Sequence, residues 1–512
     1  MVINGKGKSM KRKIYIALWA VLTCCFSSCD DWLDVRSDLE DKEEDIFRSY
    51  EGFKSALTGC YMAMADRDVY GERLTMTNIE SLANLWQFGQ NASESVMADH
   101  YLNLHDYDND YAKAAVQAIY AGLFNVVTQA NIVLKHCDTD KDVFASEKTR
   151  EMFMGEAYAL RAYCQMDVLR LFGQLPQGAN RQVELPYSYT TQLDEVPAYY
   201  SFTEYVTRLE EDLDKAAALL KEGDPSYEAT LEQVNSDNSL SDEFLLDRQF
   251  RMNYWAVRAM QARLALYLGK TEDAYKLAME IINLEIDGET RFPLTGASDS
   301  SKSNNYYACP SEALLLLSKF DLKNYTVSTL VGATADNHFY SPTRYYILSV
   351  DKLNDLYNGM LTASHNRYRS VWNKSLRENT GATYCAVMKY YYEVDAKNLM
   401  RKHQVIPLIR MSEIYLIAME TTTSLEEANR LYRAYMRDRE VLLEADAFAS
   451  LDEVRTEMIN EYRREFFAEG LMFYVYKRNH SATMMWKDGT VQEDEYIVKL
   501  PASEYNPNLN KE

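Results

Sequence analysis

The chain has 512 residues, 77 acidic against 55 basic side chains, a formal net charge of −22 and a hydrophobic share of 47%. That length admits several compact domains or one large helical array, and that hydrophobic share is ample for a core. The charge repels phosphate backbones and no basic patch offsets it, which argues against nucleic-acid binding. With 19 Gly and 10 Pro, turn formers are scarce, which predicts long helices and few tight hairpins.

Taken in chain order, residues 1–28 read as a leader. Lys6, Lys8, Lys11, Arg12 and Lys13 precede the apolar run Ile14 to Leu22, which is too short to span a bilayer. Met10 is a second candidate start. Ser28 stands before Cys29 in a pattern similar to a bacterial lipobox, which predicts cleavage there and acylation of Cys29. An ordinary secreted protein with an incidental Cys29 is the alternative. Several acyl chains would give stable attachment at about 0.8 kcal/mol per buried CH₂. Loss of a leader with five cations and no acids takes the net charge from −22 to −27. Residues 29–45 are acidic and suit a tether. Cys60, Cys137, Cys164, Cys309 and Cys385 are odd in number and scattered, so they are expected to be small buried hydrophobes.

Helical periodicity begins near Asp45 and organises residues 46–286. Within Arg150 to Gly173, Phe153, Ala157, Leu160, Cys164, Val168 and Leu171 form one apolar stripe, and Met154, Tyr158, Ala162, Met166 and Leu169 form a second. A helix apolar on two faces is buried between neighbours, and Gly173 is expected to close it with a left-handed cap. Trp255 to Ile282 reads as a helix pair that breaks at Gly269-Lys270, with Thr271 as N-cap and Ala274, Ala278 and Ile281 inward. Ile406 to Glu440 repeats that grammar, with Ser424 and Glu427 as a capping box. Such pairs are tetratricopeptide-like and predict an all-α scaffold. Between them, residues 287–404 lose periodicity and read as a loop-rich insert carrying the ligand site. Residues 405–512 form a second helical region. Asp66 to Asp110 is another loop-like stretch.

No GxSxG, HExxH or GxxxxGK[ST] motif is present, and no metal or cofactor is predicted. His100 and His105 are five apart and read as surface histidines. Asp106 to Asp110 alternates carboxylates like a calcium loop, but Tyr111 and Gln117 stand where an EF-hand needs Gly and Glu. Glu465 and Glu469 lie one turn apart beside Arg463 and Arg464, which favours ion-paired structure over an acid/base pair. What remains is an aromatic surplus of 39 Tyr, 18 Phe and 6 Trp, suited to stacking on sugar rings. Tyr158, Tyr163, Trp255, Tyr267 and Tyr415 fall in regular helices and read as packing. Tyr70, Trp86, Tyr306, Tyr307, Tyr325, Tyr340 and Trp372 fall in irregular stretches and are the candidate ligand-binding residues.

The order and spacing of several segments resemble the SusD/RagB family of Bacteroidetes outer-membrane lipoproteins. They are "CDDWLDV" from Cys29, "GCYMAM" from Gly59, "YAGLFNVVTQANIVL" from Tyr120, "GEAYALRAYCQMDVLRLFGQLP" from Gly155, "IPLIRMSEIYLIAME" from Ile406 and "INEYRREFFAEGLMFYVYKR" from Ile459. The resemblance implies four tetratricopeptide-like pairs, an inserted ligand site and a TonB-dependent transporter of the SusC type as partner. It also implies that Asp30 and Asp31, just after the lipidated cysteine, direct display on the outer face. Arg410, Glu413, Arg464, Glu465 and Glu469 match and are read as structural ion pairs. The chain departs where Asn479 follows Arg478 and Trp486 is displaced. The expected function is non-catalytic capture of a nutrient oligo- or polysaccharide. The alternatives are peptide capture of the RagB kind, a surface glycoside hydrolase lacking an evident carboxylate pair, and a tetratricopeptide adaptor.

Overall fold

The computed structural model describes residues 38–88, 91–192, 195–237, 240, 242–294, 308–326, 329–330, 346–357, 365–377, 383–390 and 404–501. The leader, Cys29 and most of the tether lie outside the described residues, as do Tyr306, Tyr307 and Tyr340. Residues up to Phe53 form one unit and those from Lys54 a second. In the first, helix α1 (Asp38–Phe47) begins inside the segment read as tether, and the Phe47 and Phe53 rings meet edge-on at 4.8 Å. Helix α2 (Tyr50–Met64) begins there and runs on into the second, burying Phe53, Leu57, Cys60 and Met64 at helical spacing.

The second unit continues with α3 (Asn78–Leu82), α4 (Met97–Asn103), α5 (Asp110–Thr139) and α6 (Glu147–Phe172). Strand β1 (Leu185–Pro186) pairs with β2 (Tyr199–Tyr200), and α7 (Phe202–Gly223) and α8 (Leu231–Ser236) follow. Helices α9 (Tyr254–Tyr267) and α10 (Thr271–Ile282) lead to the hairpin β3 (Glu285–Ile286) and β4 (Glu289–Thr290). Helices pack as α5 on α6, α6 on α7, α7 on α9 past the short α8, and α9 on α10, the stacked pairs expected from the repeat grammar.

Helix α6 is buried almost all round from Met152 onward, as its two apolar stripes require. Its start is fixed by Ser146 Oγ, which accepts from Thr149 N at 3.1 Å. A Cβ on Gly155 would come within 2.7 Å of Leu220 Cγ, so glycine sets how closely α6 and α7 approach. Gly173 does cap α6, but at φ −72° rather than left-handed. A Cβ there would sit 2.4 Å from Leu169 O, so close backbone approach is what selects glycine. Lys270, rather than Thr271, occupies the N-cap of α10. Charged residues inside α6 are paired: Arg161 donates to both carboxylate oxygens of Asp212, at 2.7 and 2.6 Å, and Glu156 meets Arg248 at 2.6 Å. Unpaired, each would be costly to bury.

The stretch read as loop-rich contains strands that the period did not reveal. Strand β5 (Ala313–Ser318) is followed by α11 (Leu322–Thr326), β6 (Ile347–Ser349), α12 (Val350–Leu356), α13 (Asn366–Ser370), β7 (Trp372–Arg377) and β8 (Thr383–Val387). The order β6-β8-β7 is antiparallel throughout, with Ile347 opposite Ala386 and Trp372 opposite Val387. Strand β9 (Val405–Arg410) pairs with β5, Ala313 opposite Arg410, across two register shifts. Both strands are buried over nearly their whole length, which erases the alternation that marks a half-exposed strand.

Helices α14 (Met411–Thr421), α15 (Leu425–Asp438), α16 (Leu451–Glu465) and α17 (Met472–Arg478) complete the scaffold. Ser424 Oγ caps α15 by accepting from Glu427 N at 3.2 Å. A buried ionic network joins these helices to the strands. Arg410 reaches Glu465 and Glu469 at 2.8 Å and also pairs with Glu312. Arg367 of α13 donates to Glu465 at 2.8 Å, and Lys389 pairs with Glu469. Burial pushes the Glu465 carboxyl up, but Arg367, Arg439 and Arg410 outweigh it and hold it well below the usual range. Arg263 and Glu413 form a further buried pair at 2.7 Å, and Arg464 and Glu461 another at 2.6 Å.

Candidate ligand-binding rim

The site is built outward from Asp99 of α4. Its Oδ1 accepts from Asn78 Nδ2 at 2.9 Å and Ser81 Oγ at 2.8 Å, and its Oδ2 accepts from the Tyr346 hydroxyl at 2.7 Å. Burial raises its pKa. One turn on, Asn103 Nδ2 donates to Ser81 O at 2.6 Å and Trp86 O at 2.5 Å. His100 Nδ1 lies 2.5 Å from Phe88 O. The inner face of α4 thereby sets the path of residues 86–88.

His105 turns left-handed at φ 53°, and its Nε2 lies 2.9 Å from Leu82 O. His100 and His105 are both buried, contrary to the surface placement expected of them. Backbone carbonyls at the turns around α3 take up their ring nitrogens, a long-range partnership that spacing alone does not encode. Asp106 Oδ1 accepts from Asp108 N at 3.2 Å, Asp108 pairs with Lys499 at 2.5 Å, and Asn109 caps α5.

On this frame a polar and aromatic rim is assembled from three separate segments. Gln87 Nε2 donates to Trp486 O at 2.6 Å, and Gln87 Oε1 accepts from Lys352 Nζ. Trp486 Nε1 donates to Asp355 Oδ2 at 2.7 Å, and Lys352 Nζ sits 5.2 Å from the indole centroid. Burial lowers the Lys352 pKa. Beside it, the Tyr368 hydroxyl donates to Asn354 Oδ1 at 2.8 Å, and Lys374 Nζ lies 4.3 Å over the Tyr368 ring. Both aromatic residues are half-buried. Trp486 is held at φ 63°, a conformation disfavoured for a bulky side chain and one that concentrates at functional positions. The rim offers flat apolar faces edged by amide, amine and carboxylate groups, the composition that orients a polyhydroxylated ligand.

The aromatic residues singled out from the sequence lie mostly elsewhere. Trp86 is fully buried, with Nε1 donating to Met76 O at 2.7 Å. Its ring meets Phe467 edge-on at 4.8 Å, and Trp372 meets the same Phe467 at 5.0 Å. Tyr70 is buried with its hydroxyl on Asp167 Oδ2 at 2.8 Å and its ring against Tyr163. These three therefore present no ring face to solvent in this structure. They sit in irregular backbone yet pack as core, because irregular backbone here is folded under the scaffold. Tyr325 is half-buried in α11, and burial followed by the Glu72 carboxylate holds its phenol well above the ordinary value. Sequence reasoning missed Trp486 and Tyr368 as ligand candidates. The displacement of Trp486 from the family pattern was the available signal. Glu465 and Glu469 are buried and ion-paired, so they cannot flank a cleft as a hydrolytic pair.

The fold and rim define a binding protein on a tetratricopeptide-like scaffold. A model of the SusD family matches residues 215–508, and a second, described as "Starch-binding associating with outer membrane", matches residues 31–266. The chain belongs to the SusD family, whose members are non-catalytic binding proteins, and it is not an enzyme. It is similar to a SusD superfamily protein from Bacteroides thetaiotaomicron, at 18% identity and TM-score 0.65, over 89% of this chain and 95% of the other. A laminarin-binding SusD-like protein is similar at 16% identity and TM-score 0.58, over 89% and 97% of the two chains. The SusD-like protein P25 of Formosa agariphila is 24% identical over 170 residues, which span 33% of this chain and 31% of that relative.

Proposed function

We propose that this protein is a cell-surface lipoprotein, anchored through Cys29 to the outer membrane, that binds a nutrient glycan. It would deliver that glycan to a TonB-dependent transporter of the SusC type. The observation that carries the reading is membership of the SusD family together with a half-buried indole edged by Gln87, Lys352 and Asp355 and a half-buried phenol edged by Asn354 and Lys374. Relatives whose names refer to starch and laminarin support a carbohydrate ligand. Residues 287–404, with Tyr306, Tyr307, Tyr325 and Tyr340, would add contacts next to the scaffold regions 46–286 and 405–512.

The test is calorimetric titration of the chain beginning just after Cys29 against polysaccharides, oligosaccharides and mixed peptides, with and without calcium. Heat from one glycan family, lost in Trp486→Ala, is the expected result. Binding of peptides alone would move the protein to peptide capture, and release of reducing ends over time would contradict a pure binding role. Co-purification with a large outer-membrane barrel from the native membrane tests the transporter partnership.

A further inference from the structure

We infer that Lys352 and Lys374 make the Trp486 rim selective for an acidic glycan, each ammonium group meeting a carboxylate or sulfate borne by the sugar chain. The inference rests on the glycan reading of that rim and narrows it to one ligand class.

The two lysines stand apart from the other lysines that are withdrawn from solvent. Among the described residues the buried and half-buried lysines are Lys54, Lys319, Lys352, Lys374, Lys389, Lys477 and Lys487. Lys54 reaches Asp242 at 3.3 Å, Lys319 reaches Asp321 at 3.4 Å, Lys487 reaches Glu495 at 3.0 Å, and Lys389 pairs with Glu469. Lys477 is wholly buried and donates to Leu171 O at 3.2 Å and Gly173 O at 2.6 Å, at the negative end of the long helix α6. Lys352 and Lys374 have only neutral oxygens: Lys352 Nζ donates to Gln87 Oε1, and Lys374 Nζ donates to Tyr368 O at 2.8 Å and to Arg369 O at 3.5 Å. Neither meets a carboxylate at ion-pairing distance among the described residues. An ammonium group has three hydrogens to donate and a charge to compensate, so both groups are left with recognition capacity. Burial lowers the pKa of each, the sign of a cation held without enough counter-charge.

Both cations border the same rim. Lys352 Nζ lies 5.2 Å from the Trp486 centroid and Lys374 Nζ 4.3 Å from that of Tyr368, and the Tyr368 hydroxyl ties α13 to Asn354 of α12. The rim's own carboxylate, Asp355, accepts from Trp486 Nε1 rather than from a lysine. The neighbouring guanidinium of Arg369 is already paired with Glu440. The protein thus places two uncompensated cations beside the rings, and an anionic ligand supplies the missing charge through charge-assisted hydrogen bonds.

The net charge of −22 sets the length of that ligand. Charges farther apart than about 8 Å are largely screened at physiological salt. A uronate or sulfate seated on an ammonium lies well inside that range, whereas a long polyanion carries most of its charges past the rim and over an acidic surface. The fit is to a short acidic oligosaccharide.

The experiment is calorimetry on the chain that begins after Cys29. The ligands are tetrasaccharides of polygalacturonate, alginate and chondroitin sulfate, their carboxyl-reduced and desulfated counterparts, and a neutral laminarin tetrasaccharide. One acidic tetrasaccharide should bind about tenfold or more tightly than its neutralised counterpart. Loss of affinity on carboxyl reduction assigns a uronate, and loss on desulfation assigns a sulfate ester. Lys352→Gln and Lys374→Gln should each weaken that ligand about tenfold, leave the neutralised counterpart unaffected, and melt no lower than the wild type. Lys352→Arg and Lys374→Arg, which keep the charge, should keep the preference. Neutral ligands bound as tightly as acidic ones, or an acidic preference that survives both glutamine variants, overturns the selectivity while the rim stands. Absence of any glycan binding by the wild type, or binding insensitive to Trp486→Ala, overturns the rim and this inference together.

Discussion

Trp86 and Trp372 come from segments nearly 300 residues apart and approach the same ring, Phe467, edge-on at 4.8 and 5.0 Å. One indole nitrogen is satisfied by Met76 O and the other by the Tyr357 hydroxyl. The three rings join the turn after α3, the insert sheet and the segment after α16 in one apolar contact. Truncating Trp86 or Trp372 to Ala should therefore cost about 3–5 kcal/mol of stability. Denaturant unfolding checks this, and normal unfolding with lost glycan binding would return both residues to the ligand surface.

Trp486 offers the converse separation of stability from binding. Its φ of 63° suits glycine, so Trp486→Gly should leave the melting temperature unchanged or raise it by the equivalent of about 1 kcal/mol. The same variant should lose glycan affinity. A large drop in melting temperature would show that the indole is packing rather than a ligand face.

The network around Glu465 predicts an asymmetric response to substitution. Glu465→Gln leaves Arg367, Arg410 and Arg439 with less counter-charge in the interior and should cost about 3–5 kcal/mol. Arg410→Met should cost a similar amount, and the double variant should cost less than the sum of the two, a coupling that a double-mutant cycle measures. Additive losses would mean the residues act independently.

Glu80 gives a pH dependence with a definite sign. Its Oε1 accepts from Gly470 N at 2.7 Å, and burial raises its pKa from 4.5 to about 8. The folded state therefore keeps a proton that the unfolded state has released between those values. Stability from this group falls as pH rises from about 4.5 to about 8 and then levels. Glu80→Gln should flatten that slope in denaturant titrations across the window. An unchanged slope would assign the pH dependence to other groups.

The helix pairs were legible because a buried helix repeats its apolar residues every three or four positions. Ala274, Ala278 and Ile281 are all fully buried as that spacing requires. The ion-paired roles of Arg410, Glu413, Arg464, Glu465 and Glu469 followed from the family pattern and are all observed. Strands β5 and β9 were not legible, since burial along both leaves an apolar run with no period of two.

Local sequence thus determined the helical scaffold and its family, because period and motif order are properties of neighbouring residues, whereas the cap at Gly173 and the N-cap before Thr271 were set only in the folded chain. Which aromatic rings face solvent was decided only by tertiary structure. Exposure depends on what distant segments cover: Phe467 buries Trp86 and Trp372, while Gln87, Lys352 and Asp355 hold Trp486 at the surface.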